Sequence, residues 1–570
     1  MAGCRRPPPA PLRMITSFTA HSHFRDLLLL TLAFTLLFGL FLGSRPLSVP
    51  DEGRYAEIPR EMVQSGDWIT PRLNGVKYFE KPALVYWLTA VSISIFGLNE
   101  WALRLWPALF ALAGCLGVYL AGRRFFGRTA GIFAAVVLGT SLLFYAMSRT
   151  LILDMAVSIL ISLALLCFLA GVSESEPRRR KILLYGFYAA SALAMLAKGL
   201  IGIVIPAMII GSWILVMNDW KLLRSIHLPT GLVLFFAIAA PWHFLVQSAN
   251  REFFDFYFIH EHFQRYLTKV HGRFKPFWFF LPILLAGLLP WSAFLIQAVR
   301  AALPRSWKER HLHRETVFLL LWAVLVFLFF SASDSKLIPY ILPVFPPLAI
   351  LIGRYFAGAW ENGVAPGLRA GFIALGVLAS LLIIAAFVAP RFRPEIDKAA
   401  LFPGIVLLVA IMLAGAATSW ILARRYGNRS VLIAVIATTA LFLTAANTLM
   451  PAVDTRSIKT IAGELKPMLR PGDDVISYHT YYQDLPVYLE RRITVVDWTG
   501  ELAFGTTVED TSGWMINDAD FWHRWQGRGR VYVVTTRKNY DTLLSAKLGP
   551  HQVVAGNTLN IVLRNEGGDR

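Results

Sequence analysis

The sequence predicts an α-helical polytopic membrane protein of about 13 transmembrane helices, with interfacial helical structure in its first outer loop and a small α/β domain at the C-terminal end. Three observations carry this. Of 570 residues, 56% are hydrophobic and only 16% charged, whereas a soluble protein of this length carries about a quarter charged residues. The apolar residues are grouped in runs of bilayer length. Residues 451–570 abandon that pattern for charge, turns and short β-rich stretches.

Apolar runs fall near 26–44, 83–97, 101–121, 129–147, 151–171, 182–197, 199–217, 229–247, 277–298, 316–332, 337–353, 369–389, 401–423 and 430–450. The basic connectors include Arg123-Arg124, Arg178-Arg179-Arg180-Lys181, Arg300 to Arg314, Arg354 and Arg424-Arg425. Alternation from 101 onward puts all of them on one side, the cytoplasm by the positive-inside rule. The basic N-terminal tail, 1–25, shares that side only if one early run does not cross. The run 83–97 is the shortest, reaching about 22 Å against a hydrocarbon core of about 30 Å. It is expected to be re-entrant or interfacial, started by Pro82 and broken by Gly97. A transmembrane domain over 26–450 follows, with long outer loops at 45–100 and 248–276 facing one compartment: the periplasm if the membrane is a bacterial inner membrane, with an endoplasmic reticulum lumen formally possible. The first run lacks a small-x-small cleavage site and reads as a retained helix. Pro7 to Pro11 reads as a disordered start.

The tail alternates strand-like runs (474–478, 492–496, 530–534 and 559–563) with helical stretches near 456–469, 517–526 and 538–547, which predicts an α/β domain on the outer side. It holds no nucleotide fingerprint, and no nucleotide cofactor is expected. The net charge of +19 is explained by inner-face clusters and by anionic lipid or phosphorylated substrate, without nucleic acid. Cys4, Cys115 and Cys167 make no disulfide framework or thiolate zinc site.

The outer side concentrates the residues able to do chemistry. Asp51-Glu52 directly follows the first span, an acidic pair suited to a charged headgroup, although a helix N-terminus would also favour it. Asp154 lies at the edge of two apolar helices, where an acid is costly and is a functional hypothesis by default. A salt bridge to Arg149 is its plainer explanation. Lys198 is either a site cation or a snorkelling lysine. Glu80-Lys81-Pro82 offers a point charge for phosphate. The stretch Asp255 to Tyr266, with His260, His262 and Arg265, could bind a divalent metal and phosphate, or could be an aromatic interfacial helix. Lys336-Leu337-Ile338-Pro339-Tyr340-Ile341-Leu342-Pro343 is a proline-broken helix start that can face a cavity.

Together these segments resemble the lipid-linked glycosyltransferases of the multi-spanning C-type (GT-C) fold. More narrowly they resemble the undecaprenyl-phosphate aminoarabinose transferases that modify lipid A. Pro50-Asp51-Glu52-Gly53-Arg54-Tyr55, Tyr78-Phe79-Glu80-Lys81-Pro82, Arg149 to Asp154 and Lys336 to Pro343 carry the likeness, over roughly 26–450. The acidic first loop is shared by protein mannosyltransferases and oligosaccharyltransferases. The Phe79-Glu80-Lys81-Pro82 and Lys336 to Pro343 segments are more specific to the aminoarabinose group and its relatives. The resemblance implies catalytic roles for Asp51 and Asp154. It implies that Arg54, Tyr55, Tyr78, Lys81, Lys198, Arg265 and Tyr340 hold the carrier and its phosphate. It makes Glu80 and His260 candidates for a divalent metal such as zinc. The implied partners are an undecaprenyl-phosphate aminosugar, lipid A and the bilayer, with the protein a monomer. Two alternatives stay open: transfer of another polyprenyl-linked sugar to a protein or glycan, and a lipid-sugar flippase. The clustering of polar residues at one face and the lack of internal repeats favour an enzyme.

Overall fold

Backbone in hydrocarbon must satisfy its own N–H and C=O groups, so the apolar runs become helices. The computed structural model describes residues 13–264, 275–363, 365–392, 398–449 and 456–566. Among the described residues, ten helices are long and apolar enough to cross a membrane. Two bent pairs, Arg128–Gly139 with Leu142–Ser148 (67°) and Phe277–Gly287 with Trp291–Ala302 (103°), each offer one more span. Ile201–Met217, with 17 residues, is the remaining segment on which the expected thirteenth crossing would fall.

The bends depart from the straight spans expected at 129–147 and 277–298. At the first, Thr140 and Ser141 bond back to the carbonyls of Val136 and Val137 at 2.5 and 2.6 Å, a competition that interrupts a helix. At the second, Pro290 removes a backbone donor. The first helix, α1 (Arg13–Gly39), begins well before the apolar run does. The proline-rich start lies outside the described residues.

The next elements build the first outer loop. They are α2 (Asp51–Ser65), the hairpin β1 (Arg72–Leu73) with β2 (Val76–Lys77), and α3 (Leu84–Phe96). At 13 residues α3 is too short to cross, in line with an interfacial or re-entrant helix. Helix α4 (Glu100–Phe126) follows, then the bent pair α5 (Arg128–Gly139) and α6 (Leu142–Ser148), α7 (Leu153–Val172) and α8 (Pro177–Lys198). Helix α7 is buried almost all round, as a helix apolar on every face should be.

The basic connectors meet at one end of the bundle. Asp26 accepts from Arg123 and Arg128 at 3.1 and 2.6 Å. Arg354 lies 4.8 Å above Phe126 and bonds Thr316 at 2.7 Å, Arg314 pairs with Asp219 at 2.6 Å, and Arg429 bonds the Trp360 carbonyl at 2.7 Å. The first loop lies at the opposite end of α1 and α4.

The C-terminal region is a six-stranded sheet of order β5-β4-β3-β6-β8-β7. Its strands are β3 (Asp474–Tyr478), β4 (Thr494–Val496), β5 (Met515–Ile516), β6 (Val531–Thr536), β7 (His551–Gly556) and β8 (Asn560–Asn565). The first four are parallel and the last two antiparallel. Phe521 and Trp525 of the helix Asp518–Gln526 pack on one face with Ile476, Val533 and Leu563.

Glu52 holds the loop to the bundle. It is fully buried. It accepts from Arg104 Nε and Nη2 at 2.8 Å each, from Arg45 Nη1 at 2.8 Å, and from the backbone N–H groups of Ser48 and Leu151 at 2.9 and 2.8 Å. The expected acidic pair is therefore split. Asp51 is open, its side chain 56% exposed, while Glu52 is a structural anion that no headgroup can reach. Burial alone would raise the Glu52 carboxyl, but Arg104 and Arg45 outweigh it and hold the group at about 2. Glu52→Gln is expected to cost about 3–5 kcal/mol by leaving buried cations uncompensated, seen as a lower melting temperature in detergent. The sign follows from the depressed value: the wild-type advantage is full above about pH 4.5, the ordinary value, and shrinks as pH falls toward 2. A gap that widened with acid would refute this assignment.

Candidate functional site

Helix α2 turns its first two turns toward three neighbours: the bundle, α3 and the C-terminal sheet domain. The approach to the last is close. A Cβ at Gly53 would come within 2.7 Å of the Asp484 amide nitrogen, so only glycine fits. One residue on, Arg54 is buried. Its Nη1 lies 3.2 Å from Asp51 and its Nη2 pairs with Glu501 of the C-terminal domain. The guanidinium is 5.6 Å from the centre of the Tyr55 ring, which lies 6.1 Å from that of Tyr86.

The polar atoms around Arg54 are left waiting. Arg54 Nε, the Tyr78 hydroxyl and the Tyr86 hydroxyl are buried and have no hydrogen-bond partner among the described residues. Each is a donor, and an unsatisfied buried donor costs about 1–3 kcal/mol. Burial first, then the Glu80 carboxylate, holds the Tyr78 phenol well above its ordinary value. Burial also raises Tyr86, with Tyr55 beside it. Both stay protonated at neutral pH. Burial likewise raises Tyr55, against the pull of Arg54 and helped by the charges of Asp51, Glu80 and Asp154. These groups therefore lie within electrostatic reach of one another.

The second part of the site joins α7 and α8. Asp154 sits in the first turn of α7 and Lys198 in the last turn of α8, the ends whose dipoles favour an acid and a base respectively. The two pair directly, and the Lys198 ammonium lies 4.5 Å over the Tyr340 ring. Two simpler readings fail here. Asp154 does not pair with Arg149, which instead donates to the Phe38 and Leu40 carbonyls at 2.6 Å each. Lys198 does not snorkel to an interface but turns to Asp154.

The remaining expected residues are placed as follows. Lys81, half-buried, donates to the Glu80 carbonyl at 2.6 Å. His260 stacks on Phe256 at 5.2 Å, and Phe256 stacks on Phe504 of the C-terminal domain at 3.8 Å. Arg265 lies outside the described residues. Glu80 and His260 belong to no three-ligand group among the described residues. The cluster that does is elsewhere, His479, Asp497 and Asp518 at the strand ends of the C-terminal sheet. A zinc site built by protein wants three or four ligands, so Glu80 and His260 alone do not make one.

Two site residues were not singled out in the sequence, Tyr86 and Glu501. Tyr86 is the only tyrosine of α3, four residues after the Pro82 that starts the helix, which was a usable signal. Glu501 stands 447 residues from Arg54 and carries none.

The match to known proteins agrees with this geometry. A family profile described as dolichyl-phosphate-mannose-protein mannosyltransferase matches residues 80–244, and one described as aminoarabinose transferase C-terminal domain matches 461–565. The crystal structure of ArnT from Cupriavidus metallidurans bound to undecaprenyl phosphate superposes with a TM-score of 0.86 at 32% identity, covering 95% of this chain and 98% of that one. Its apo form gives 0.84. Fold and loop site thus define a membrane-embedded glycosyltransferase of the C type. Curated relatives named undecaprenyl phosphate-α-4-amino-4-deoxy-L-arabinose arabinosyl transferase are 31% identical in Pectobacterium atrosepticum, over 86% of this chain and 88% of theirs, and 31% identical in Erwinia tasmaniensis, over 89% and 92%. One from Enterobacter sp. is 36% identical over 58% of this chain and 59% of its own length. The chain belongs to this family of arabinosyl transferases.

Tyr86→Phe tests the pocket. It removes a hydroxyl that has no protein partner, so the melting temperature is expected to hold. The apparent KM for the lipid-linked donor should rise about tenfold or more, the worth of one hydrogen bond to a charged group. Loss of stability with an unchanged KM would show the hydroxyl to be structural.

Proposed function

We propose that this protein moves 4-amino-4-deoxy-L-arabinose from undecaprenyl phosphate to the phosphate groups of lipid A. It works as a monomer at the periplasmic face of a bacterial inner membrane, with a catalytic membrane region over 26–450 and a periplasmic domain over 451–570. The observation that carries the proposal is the set of orphaned donors around Arg54: Nε, Tyr78 OH and Tyr86 OH. A phosphate supplies the acceptors they lack. The open carboxylate of Asp51 and the paired one of Asp154 border the same pocket.

The chemistry is glycosyl transfer between two phosphates. A lipid A phosphate oxygen attacks the anomeric carbon with its lone pair. The bond from that carbon to the undecaprenyl phosphate oxygen breaks, and the leaving phosphate keeps the electron pair. The nucleophile is already anionic at neutral pH, so no general base is needed. Asp51 and Asp154 orient the cationic aminosugar and stabilise oxocarbenium-like charge at the reacting carbon. Arg54, Tyr55 and Tyr78, with Lys81 and Arg265, hold the phosphate that departs. Lys198 and Tyr340 fix Asp154. Glu80 and His260 remain candidates to share a cation with water or phosphate. The product lipid A carries added ammonium groups, which lowers surface charge and weakens binding of polymyxin and other cationic peptides.

The test is mass spectrometry of lipid A from cells that lack their own modifying enzyme but make the aminoarabinose carrier. Expression should add an aminopentose. Asp51→Asn should abolish the addition while purified protein keeps its affinity for undecaprenyl phosphate within about threefold, because the acid acts on the sugar and not on the carrier. Unmodified lipid A with folded wild-type protein would send the search to another sugar or acceptor.

A further inference from the structure

We infer that Glu501, supplied by the C-terminal domain, is a fixed counter-charge at the carrier-phosphate pocket that hastens release of the spent carrier. This rests on the reading of Arg54 as a phosphate ligand. Glu501 stands in the short turn Gly500–Leu502. Its carboxylate is mostly buried, with a side chain 15% exposed. It pairs with Arg54 Nη2 and lies 3.3 Å from the Gln483 side-chain amide. The turn is closely packed: Gly500 has φ of +44°, and the Trp498 ring fills the space a side chain there would need. Glu501 is thus placed against Nη2 of the guanidinium, while Nε has no acceptor among the described residues.

The chemistry of the two carrier forms makes this placement matter. The donor is a phosphodiester with one negative charge. The spent carrier is a phosphomonoester, whose second ionisation near pH 6 gives it about −1.5 to −2 at neutral pH. A positive pocket alone would bind the product more tightly than the substrate, and turnover would stall on it. A carboxylate a few ångströms away repels both forms, and the more highly charged one more. Asp51, also on Arg54, is largely exposed, so water and salt screen its effect on the carrier. Glu80 and the protonated phenols of Tyr55, Tyr78 and Tyr86 add no cation, and Lys81 is the other described cation assigned to the carrier phosphate. Glu501 therefore offsets part of the charge of Arg54 and acts through it, as a positioning and tuning residue that need not touch the sugar.

The alternative is that Glu501 only props Arg54 in place, and the two roles give opposite signs. In lipid nanodiscs, undecaprenyl phosphate affinity and donor KM are measured for wild type, Glu501→Gln, Glu501→Asp and Arg54→Ala. If Glu501 is a counter-charge, Glu501→Gln tightens undecaprenyl phosphate about tenfold, tightens the donor less, and lowers kcat through slow product release. Glu501→Asp, which keeps the charge, stays near wild type. If Glu501→Gln weakens or does not change product affinity while Arg54→Ala weakens it, the inference falls and the carrier-site reading stands. If Arg54→Ala binds undecaprenyl phosphate as wild type does, both fall.

Discussion

A negative charge buried away from water has to be matched where it stands, and Glu52 is matched by two arginines and two backbone donors. Arg104 comes from α4, Arg45 from the loop before α2, and the Leu151 N–H from the turn entering α7. Three segments that would otherwise be joined only by apolar contact are thus fixed to one carboxylate. The site is built on these segments. Asp51 and Arg54 flank Glu52 on α2, and Asp154 lies three residues beyond Leu151. Apolar packing in a bilayer is weakly directional because lipid competes for it. A charge-assisted network sets orientation with far less tolerance.

From that anchor outward, charges divide into those satisfied within the protein and those left for a ligand. Glu57 and Arg60 close on one another at 2.5 and 2.6 Å, Lys77 closes on Glu252 at 2.7 Å and Lys198 on Asp154. Around Arg54 the balance differs: anions are already present, yet three donors stay open. Such a pocket is organised before its ligand arrives, so little rearrangement is needed when charge moves from sugar to phosphate. Glu501 keeps the pocket from being too positive to let go.

Much of this was legible in the residues. The helices follow from apolar runs, because no other open structure survives in hydrocarbon, and parity placed the basic connectors together. The run before Gly97 was too short to span, and α3 is only 13 residues long. Asp51, Arg54, Tyr55, Tyr78 and Asp154 stand in short polar segments between apolar ones, where a charge is costly enough to be noticed. Strands β3, β4, β6 and β8 showed as β-branched runs. Strand β5 is two residues long and β7 is an exposed edge, so neither left a pattern. The bends at Thr140 and Pro290 were missed because hydropathy averages over them. Glu52 resembled its neighbour Asp51 in type and position, and only its burial separates the two. Glu501 was invisible because its meaning depends on a partner 447 residues away.

The hairpin of the first loop is closed by the far end of the chain. Asn74 exchanges two hydrogen bonds with the Ile493 backbone, at 2.9 and 3.0 Å across 419 residues, and Arg72 pairs with Glu509 at 3.0 Å. At ribosomal speeds of about 5–20 residues per second, the loop waits about 20–80 s after its own synthesis for the strand that completes it. During that interval the membrane region is inserted but its pocket has no wall on the Glu501 side. Catalytic competence is therefore acquired last, once the whole polypeptide has been made. A prematurely terminated chain would be a membrane protein without a finished enzyme.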